Sequence, residues 1–337
     1  MKKKNVVVII LSLFLVFILY IVVQLMIPLP LGNKSIELEI KRGSTFRHAV
    51  DSLAEKGMLR DKWVFLLLGR VTGADRRMKA GFYPLWGSMS PLQIFNAIRS
   101  GKILEYEITV LPGDSLLEIE DKFSALNTEY GGEFQKLSGD SEFLESLDVE
   151  APSLEGYIFP DTYRFPKGLE IREAVSIMVE RLREKYDDDM TLRTVEMGLT
   201  EREVLTMASI VEKEAITDKE RPVIAAVYYN RLKKRMPLQA DPTAIYGVKS
   251  SKEKITRNDL LKRTPYNTYV IKGLPPGPIA SPGLKSIQAA LNPADVPYLY
   301  FVSNNDGTHS FSVTLSKHMD AVKSYRDKKR VASKGAS

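Results

Sequence analysis

The strongest pattern along the chain is an apolar run from Val6 to Ile27, interrupted only by Ser12 and Gln24 and preceded by Lys2, Lys3 and Lys4. As a helix it would measure about 33 Å, enough for a hydrocarbon core of roughly 30 Å. The run is apolar on every face and lies at the extreme terminus, which suits a membrane span better than a core helix. It also exceeds the usual signal-peptide apolar region of about 7–15 residues, and Pro28-Leu29-Pro30-Leu31-Gly32 offers no small-x-small cleavage site. The expected organisation therefore begins with a short cytoplasmic N-terminus (1–5) and a retained single-pass anchor (6–28). The lysines stay inside, and everything after Pro28 faces outward from the cytoplasmic membrane.

Beyond the anchor, short strands and helices alternate over 36–148. Ile36 to Ile40 alternates as a strand; Arg42-Gly43-Ser44-Thr45 then turns into a helix bearing Phe46, Ala49, Val50 and Leu53. The unit recurs as Ile108-Thr109-Val110, the turn Pro112-Gly113-Asp114-Ser115, and a helical face of Leu116, Ile119 and Phe123. Between them, Ser90-Pro91 opens a helix through Ile98 that Gly101 closes. This strand, glycine turn and helix repeat resembles the LysM-type glycan-binding module.

Over 153–328 helical periods predominate. Ile171 to Tyr186 is amphipathic, and Thr200-x-x-Glu203 and Thr217-x-x-Glu220 both have the capping-box pattern. Ser281-Pro282 opens a helix ending near Leu291. Tyr298–Val302 and Ser310–Leu315 read as strands around the Asn304–Gly307 turn, and Ser316–Lys328 as a closing helix. The Lys/Ser-rich tail 329–337 is expected to be disordered. The fold class is thus α+β: a transmembrane helix, a LysM-like α+β domain (36–148), and a mainly helical α+β domain (153–328).

Composition narrows the chemistry. The 337 residues, 44% hydrophobic and 27% charged, suffice for two compact domains. The absence of cysteine excludes disulfides, thiolate catalysis and cysteine-held metals. His48, His309 and His318 form no clustered or HExxH motif, so no metal is expected, and no cofactor-binding pattern is recognisable. The net charge of +6 is not gathered into a basic stripe, and nucleic acid is not indicated as a partner.

The informative stretch is Met207 to Gly247. In the helix opened by Thr200, Val204, Ala208, Val211 and Ala215 fall on one stripe, with Glu212 and Glu214 about 80° to either side of it. Two residues apart, they cannot both address one bond, and geometry leaves open which would serve as an acid/base group. A carboxyl beside apolar groups keeps its proton more readily, as a general acid must. Glu155 to Tyr163 packs three aromatics and two acids around a glycine and a proline, a composition suited to a sugar-binding wall. Gln239-Ala240-Asp241-Pro242-Thr243 lies between helices, where Asp241 and Thr243 can cap or bind. Thr264–Tyr269 and Gly273–Pro278 read as rigid functional loops.

Together, ASIVEKE, ERPVIAAVYYNRL, MPLQADPTAIYG, TPYNTYVIKGLPPGPIASPG and PYLYFV resemble the endolytic murein (lytic) transglycosylases of the MltG/YceG-like family, over nearly the whole chain. The resemblance implies that Glu214, the second glutamate of the triplet, is the catalytic residue. It implies cleavage of the MurNAc-β-1,4-GlcNAc bond within peptidoglycan strands to leave 1,6-anhydro-MurNAc ends. It also implies work on nascent strands beside peptidoglycan synthases. Glu155, Tyr157, Asp161, Asn230, Gln239, Asp241, Thr243, Tyr246 and Asn267 are expected around the substrate groove. Two other readings compete: a serine acyltransferase using Ser251-x-x-Lys254 and Ser303-x-Asn305, and a glycan-binding scaffold without activity.

Overall fold

The computed structural model describes residues 2–76, 78–249, 253 and 255–334. The chain forms two compact units, residues 1–107 with 164–169, and residues 108–163 with 170–337. Ser251 and Lys254 lie outside the described residues.

The first unit contains α1 (Lys2–Met26), β1 (Ser35–Ile40), α2 (Phe46–Glu55), α3 (Lys62–Thr72), β2 (Gly81–Trp86) and α4 (Pro91–Ser100). The first of these is the apolar run, long and apolar enough to cross a membrane. Strands β1 and β2 pair antiparallel, from Ser35 opposite Trp86 to Ile40 opposite Gly81. The two-residue period turns Leu38, Ile40, Tyr83 and Leu85 inward. They meet an aromatic cluster in which Phe65 stacks on Phe46 at 6.0 Å and meets Phe95 edge-on at 5.5 Å. Thr45, Asp61 and Ser90 cap the three helices at their N-termini, with Ser90 and Gln93 forming a full capping box.

Strand β3 (Glu105–Thr109) pairs with β4 (Thr162–Pro166), and the chain leaves and re-enters the first unit within these strands. The second strand, turn and helix repeat therefore does not sit where the sequence suggested, in a domain ending near 148. Phe123 in α5 (Leu116–Leu126) stacks on Phe134 in α6 (Thr128–Leu137) at 5.0 Å. The 112–115 turn exchanges two backbone hydrogen bonds with Ser281, Gly113 N to Ser281 O at 2.8 Å and Ser281 N to Asp114 O at 2.7 Å. These contacts draw 108–148 into the second unit.

That unit continues with α7 (Ser141–Ser146), α8 (Ile171–Lys185), α9 (Asp188–Glu196), α10 (Glu201–Glu214), α11 (Arg221–Lys233), α12 (Asp241–Ile245), α13 (Arg257–Leu261) and α14 (Leu284–Leu291). An antiparallel hairpin, β5 (Tyr300–Ser303) and β6 (His309–Ser312), precedes α15 (Leu315–Lys334). The last helix passes Lys328, its expected end, because no Gly or Pro interrupts the sequence before Gly335. The capping box at Thr217 does not form: the Glu220 carboxylate instead accepts from the backbone N–H of His309 (2.9 Å) and meets its Nδ1 (2.7 Å).

Candidate active site

Helix α10 organises the site. Its capping box does form, with Thr200 Oγ1 accepting from Glu203 N at 3.2 Å and the Glu203 carboxylate accepting from Thr200 N at 2.9 Å. The sequence suggested a single buried stripe, but every residue from Val204 to Val211 is buried, because α9, α11, α12 and α14 all pack on this helix. Its buried hydroxyls are matched: Thr206 donates to Arg202 O (2.6 Å), while Ser209 donates to Thr206 O (2.8 Å) and accepts from Ile279 N (3.0 Å).

At the C-terminal end the two glutamates diverge. The Glu212 side chain, 6% exposed, pairs with Arg221 Nη1 at 3.0 Å and accepts from Gly283 N at 2.9 Å. Arg221 Nη1 also donates to Ser286 Oγ, so this carboxylate ties α10 to the starts of α11 and α14. Glu214 is different. It keeps part of its surface open to solvent, yet protein atoms crowd it. Burial pushes its carboxyl up to about 7, and the neighbouring Asp241 carboxylate adds to the effect. Hydrogen bonds from the Tyr228 hydroxyl and the Asp241 backbone N–H favour the charged form, as does the Arg231 guanidinium, without offsetting the burial. A reachable carboxyl that holds its proton near neutrality can act as acid and then as base.

The chain around Asp241 is held rigidly. Gln239 has a left-handed backbone (φ +50°), uncommon for a residue with a side chain, and its N–H donates to Thr268 O at 3.1 Å. Ala240 N donates to Thr268 Oγ1 at 2.9 Å, and the buried Thr243 hydroxyl donates to Ala240 O at 2.6 Å. The side chains of Gln239 and Asp241 remain exposed, and the Tyr269 hydroxyl donates to Asp241 Oδ1. Arg231 donates to Leu238 O (2.7 Å) and Leu299 O (2.7 Å) beneath this turn.

Of the residues expected around the groove, then, Gln239 and Asp241 present free side-chain surface. Thr243 and Asn267 are buried; Asn267 Nδ2 donates to the carbonyls of Asp259, Leu260 and Lys262 and so closes the end of α13. Asn230 Nδ2 donates to Val296 O (2.7 Å) and Tyr298 O (3.1 Å), joining helix to loop. Glu155, only 3% exposed, accepts from Leu116 N at the start of α5 and from the Tyr246 hydroxyl (2.8 Å) at the end of α12. Its burial also raises that carboxyl to about 7.

The aromatics of 155–163 do not form an open wall: Tyr157, Ile158, Phe159 and Tyr163 are buried in the core. The Arg183 guanidinium lies 6.0 Å from the Tyr157 ring and pairs with Glu201, in the first turn of α10. That places Tyr157 about 20 Å along the helix from Glu214. Asp161 pairs with Arg181 at 2.8 Å, and the Thr162 N–H and that guanidinium hold its carboxyl low. Gly156 explains why these residues turn inward: its φ is +82°, and a Cβ there would lie 2.4 Å from Pro278 Cβ.

Tyr228 and Tyr269 escaped the sequence reading. The spacing of Tyr228 and Arg231, three residues apart on one helix face, was the available signal for the first; for the second it was its place in the Thr264–Tyr269 loop. Among the described residues no group of three or more His, Asp or Glu side chains converges as a metal site.

The profile of the YceG-like family matches residues 38–324. An endolytic murein transglycosylase of Bacillus subtilis (strain 168) is 33% identical over 315 residues, 87% of this chain and 86% of the relative. One from Streptococcus pneumoniae (strain ATCC BAA-255 / R6) is 28% identical over 307 residues, 81% of this chain but 55% of that longer protein. The crystal structure of a YceG-like protein from Listeria monocytogenes superposes with a TM-score of 0.60 at 32% identity, covering 85% of this chain and 98% of that one.

Proposed function

The chain belongs to the YceG-like family, and on that premise we propose that it is an endolytic murein transglycosylase whose acid/base residue is Glu214. The observation that carries the assignment is the contrast within α10. Glu212 is consumed by Arg221 and Gly283, whereas Glu214 is reachable, desolvated and protonated near neutrality.

In the first step the Glu214 carboxylic acid gives its proton to the glycosidic oxygen between MurNAc and GlcNAc, and the C1–O4 bond breaks. The carboxylate so formed removes the proton from the C6 hydroxyl of the same MurNAc, whose oxygen closes on C1. One 1,6-anhydro end and one free GlcNAc O4–H result, no water is consumed, and Glu214 regains its starting state. A single carboxyl serves both steps, where water-adding glycosidases use a flanking pair. Gln239 and Asp241 are the substrate-facing groups beside it. Glu155, Asn230, Thr243, Tyr246 and Asn267 support the loops that carry them, and Tyr157 and Asp161 brace the fold farther off.

The same reading makes α1 a retained single-pass anchor, with the N-terminus cytoplasmic and the second unit acting outside the cytoplasmic membrane. LysM-like glycan binding by residues 36–148 and work beside peptidoglycan synthases belong to it as well.

The test is digestion of purified peptidoglycan by wild type and Glu214→Gln, with products read by mass spectrometry. Internal fragments with anhydro ends, absent from the mutant, are expected. Reducing ends would instead make water the nucleophile, with Asp241 as the second carboxylate. Undiminished cleavage by the mutant would refute the assignment.

A further inference from the structure

Helix α3 carries the sequence KWVFLLLGRVT, apolar on nearly all sides, yet only half of it is covered. Val64, Phe65 and Gly69 face the core of the first unit. Gly69 sits so close to the Phe46 ring that a Cβ would come within 2.2 Å of it. On the opposite side Trp63, Leu67 and Val71 follow one another at i, i+4 and i+8, a stripe about 80° wide. They are 63%, 52% and 76% exposed. Arg60, Lys62 and Arg70 flank them; the Lys62 ammonium pairs with Asp51 at 3.0 Å and lies 5.8 Å from the Trp63 ring.

The position of this stripe gives its meaning. Arg60 donates to Pro28 O at 2.8 Å and to Ile27 O at 2.5 Å, the carbonyls just past the end of α1. The Tyr20 hydroxyl donates to the Asp61 carboxylate that caps α3. Tyr20 lies about 9 Å along the helix axis before Met26. The start of α3 thus lies beside the last turns of α1, at a depth that interfacial helices reach when they sink about 5–10 Å into the headgroup region.

We infer that α3 is an interfacial helix, whose Trp63–Leu67–Val71 stripe docks on the lipid surface of the leaflet from which α1 emerges. The inference rests on the reading of α1 as a retained anchor. Three observations select lipid as the occupant. The stripe is continuous with the membrane span, Arg70 beside it suits an anionic headgroup, and its leading residue is a tryptophan, the side chain enriched where apolar and wet environments meet. Docking would hold the first unit against the bilayer instead of letting it swing on the 27–34 linker.

The chain has two tryptophans, Trp63 and Trp86, so Trp86→Phe leaves Trp63 as sole reporter. The full-length variant would be placed in nanodiscs of phosphatidylcholine and phosphatidylglycerol, with circular dichroism confirming its fold. Trp63 emission should be blue-shifted and shielded from iodide. It should be quenched more by lipids brominated near the head of the acyl chain than by those brominated at its end. Adding Leu67→Gln and Val71→Gln should restore iodide quenching while the chain still co-migrates with the discs. Iodide-accessible Trp63 in a co-migrating chain would overturn the inference and leave the anchor standing, and so would shielding from both quenchers, which would mean a protein surface covers the stripe. A chain that does not co-migrate with the discs would overturn the anchor and the docking together.

Discussion

Raising the pH through neutrality should switch off strand cleavage along the titration of Glu214. A carboxyl near its ordinary value of 4.5 would be protonated in about 0.3% of molecules at pH 7, whereas one raised to about 7 is protonated in about half. The difference in available acid is about 150-fold, equivalent to about 3 kcal/mol at 1.36 kcal/mol per unit. The rate of the protonation-dependent step should therefore be flat on the acidic side, bend near pH 7, and fall about tenfold for each further unit. The assay is release of anhydro-ended fragments from sacculi by the full chain in detergent, with kcat/KM followed across the range. A parallel thermal melt at each pH separates loss of chemistry from loss of fold. A bend near 4.5, or a profile with no alkaline limb, would refute the argument that burial and Asp241 hold the proton on Glu214.

Two neighbours should move that limb in opposite directions. Asp241→Asn removes a nearby negative charge and should shift it toward acid, while Tyr228→Phe removes a hydrogen bond to the carboxylate and should shift it toward alkali; matching shifts in both variants would contradict the geometry. Glu212→Gln leaves Arg221 with only the more exposed Asp218 (3.2 Å) as counter-charge, so stability should drop by about 1.5–3 kcal/mol in denaturant titration, while Glu214→Gln should melt no lower than wild type. Glu155 supplies a pH test of stability. Its folded value lies above its unfolded one, so the folded state binds the extra proton between about 4.5 and 7, and stability is lost as pH rises through that window. Glu155→Gln should therefore flatten the pH dependence of unfolding by up to about 3 kcal/mol between its acidic and alkaline ends; an unchanged slope would show that burial does not perturb this carboxyl.

Much of this protein could be read from local pattern. Period and length identified the helix over 6–27. Glycine turns placed the starts of α2 and α5, Ser90-Pro91 that of α4 and a capping box that of α10, because each signal depends on residues a few positions apart and on little else. The capping-box rule failed at Thr217, where His309, 89 residues from Glu220, offered that carboxylate a better partner. Local pattern also missed the division into units, since the hydrogen bonds between Gly113, Asp114 and Ser281 join segments far apart in sequence.

From the sequence, helix arithmetic put Glu212 and Glu214 on opposite flanks of one stripe, and the family resemblance pointed to the second of them as the catalytic residue. What sets the two apart physically is visible only in the fold. Arg221, Gly283 and Ser286 reach Glu212 from one side, while Tyr228 and Asp241 reach Glu214 from the other. Aromatic and polar residues that look alike in sequence were likewise sorted only by packing: Tyr157, Thr243 and Asn267 went inside, Gln239 and Asp241 stayed at the surface. Burial and proton affinity depend on what surrounds a group in three dimensions, and those surroundings come from segments that local pattern cannot connect.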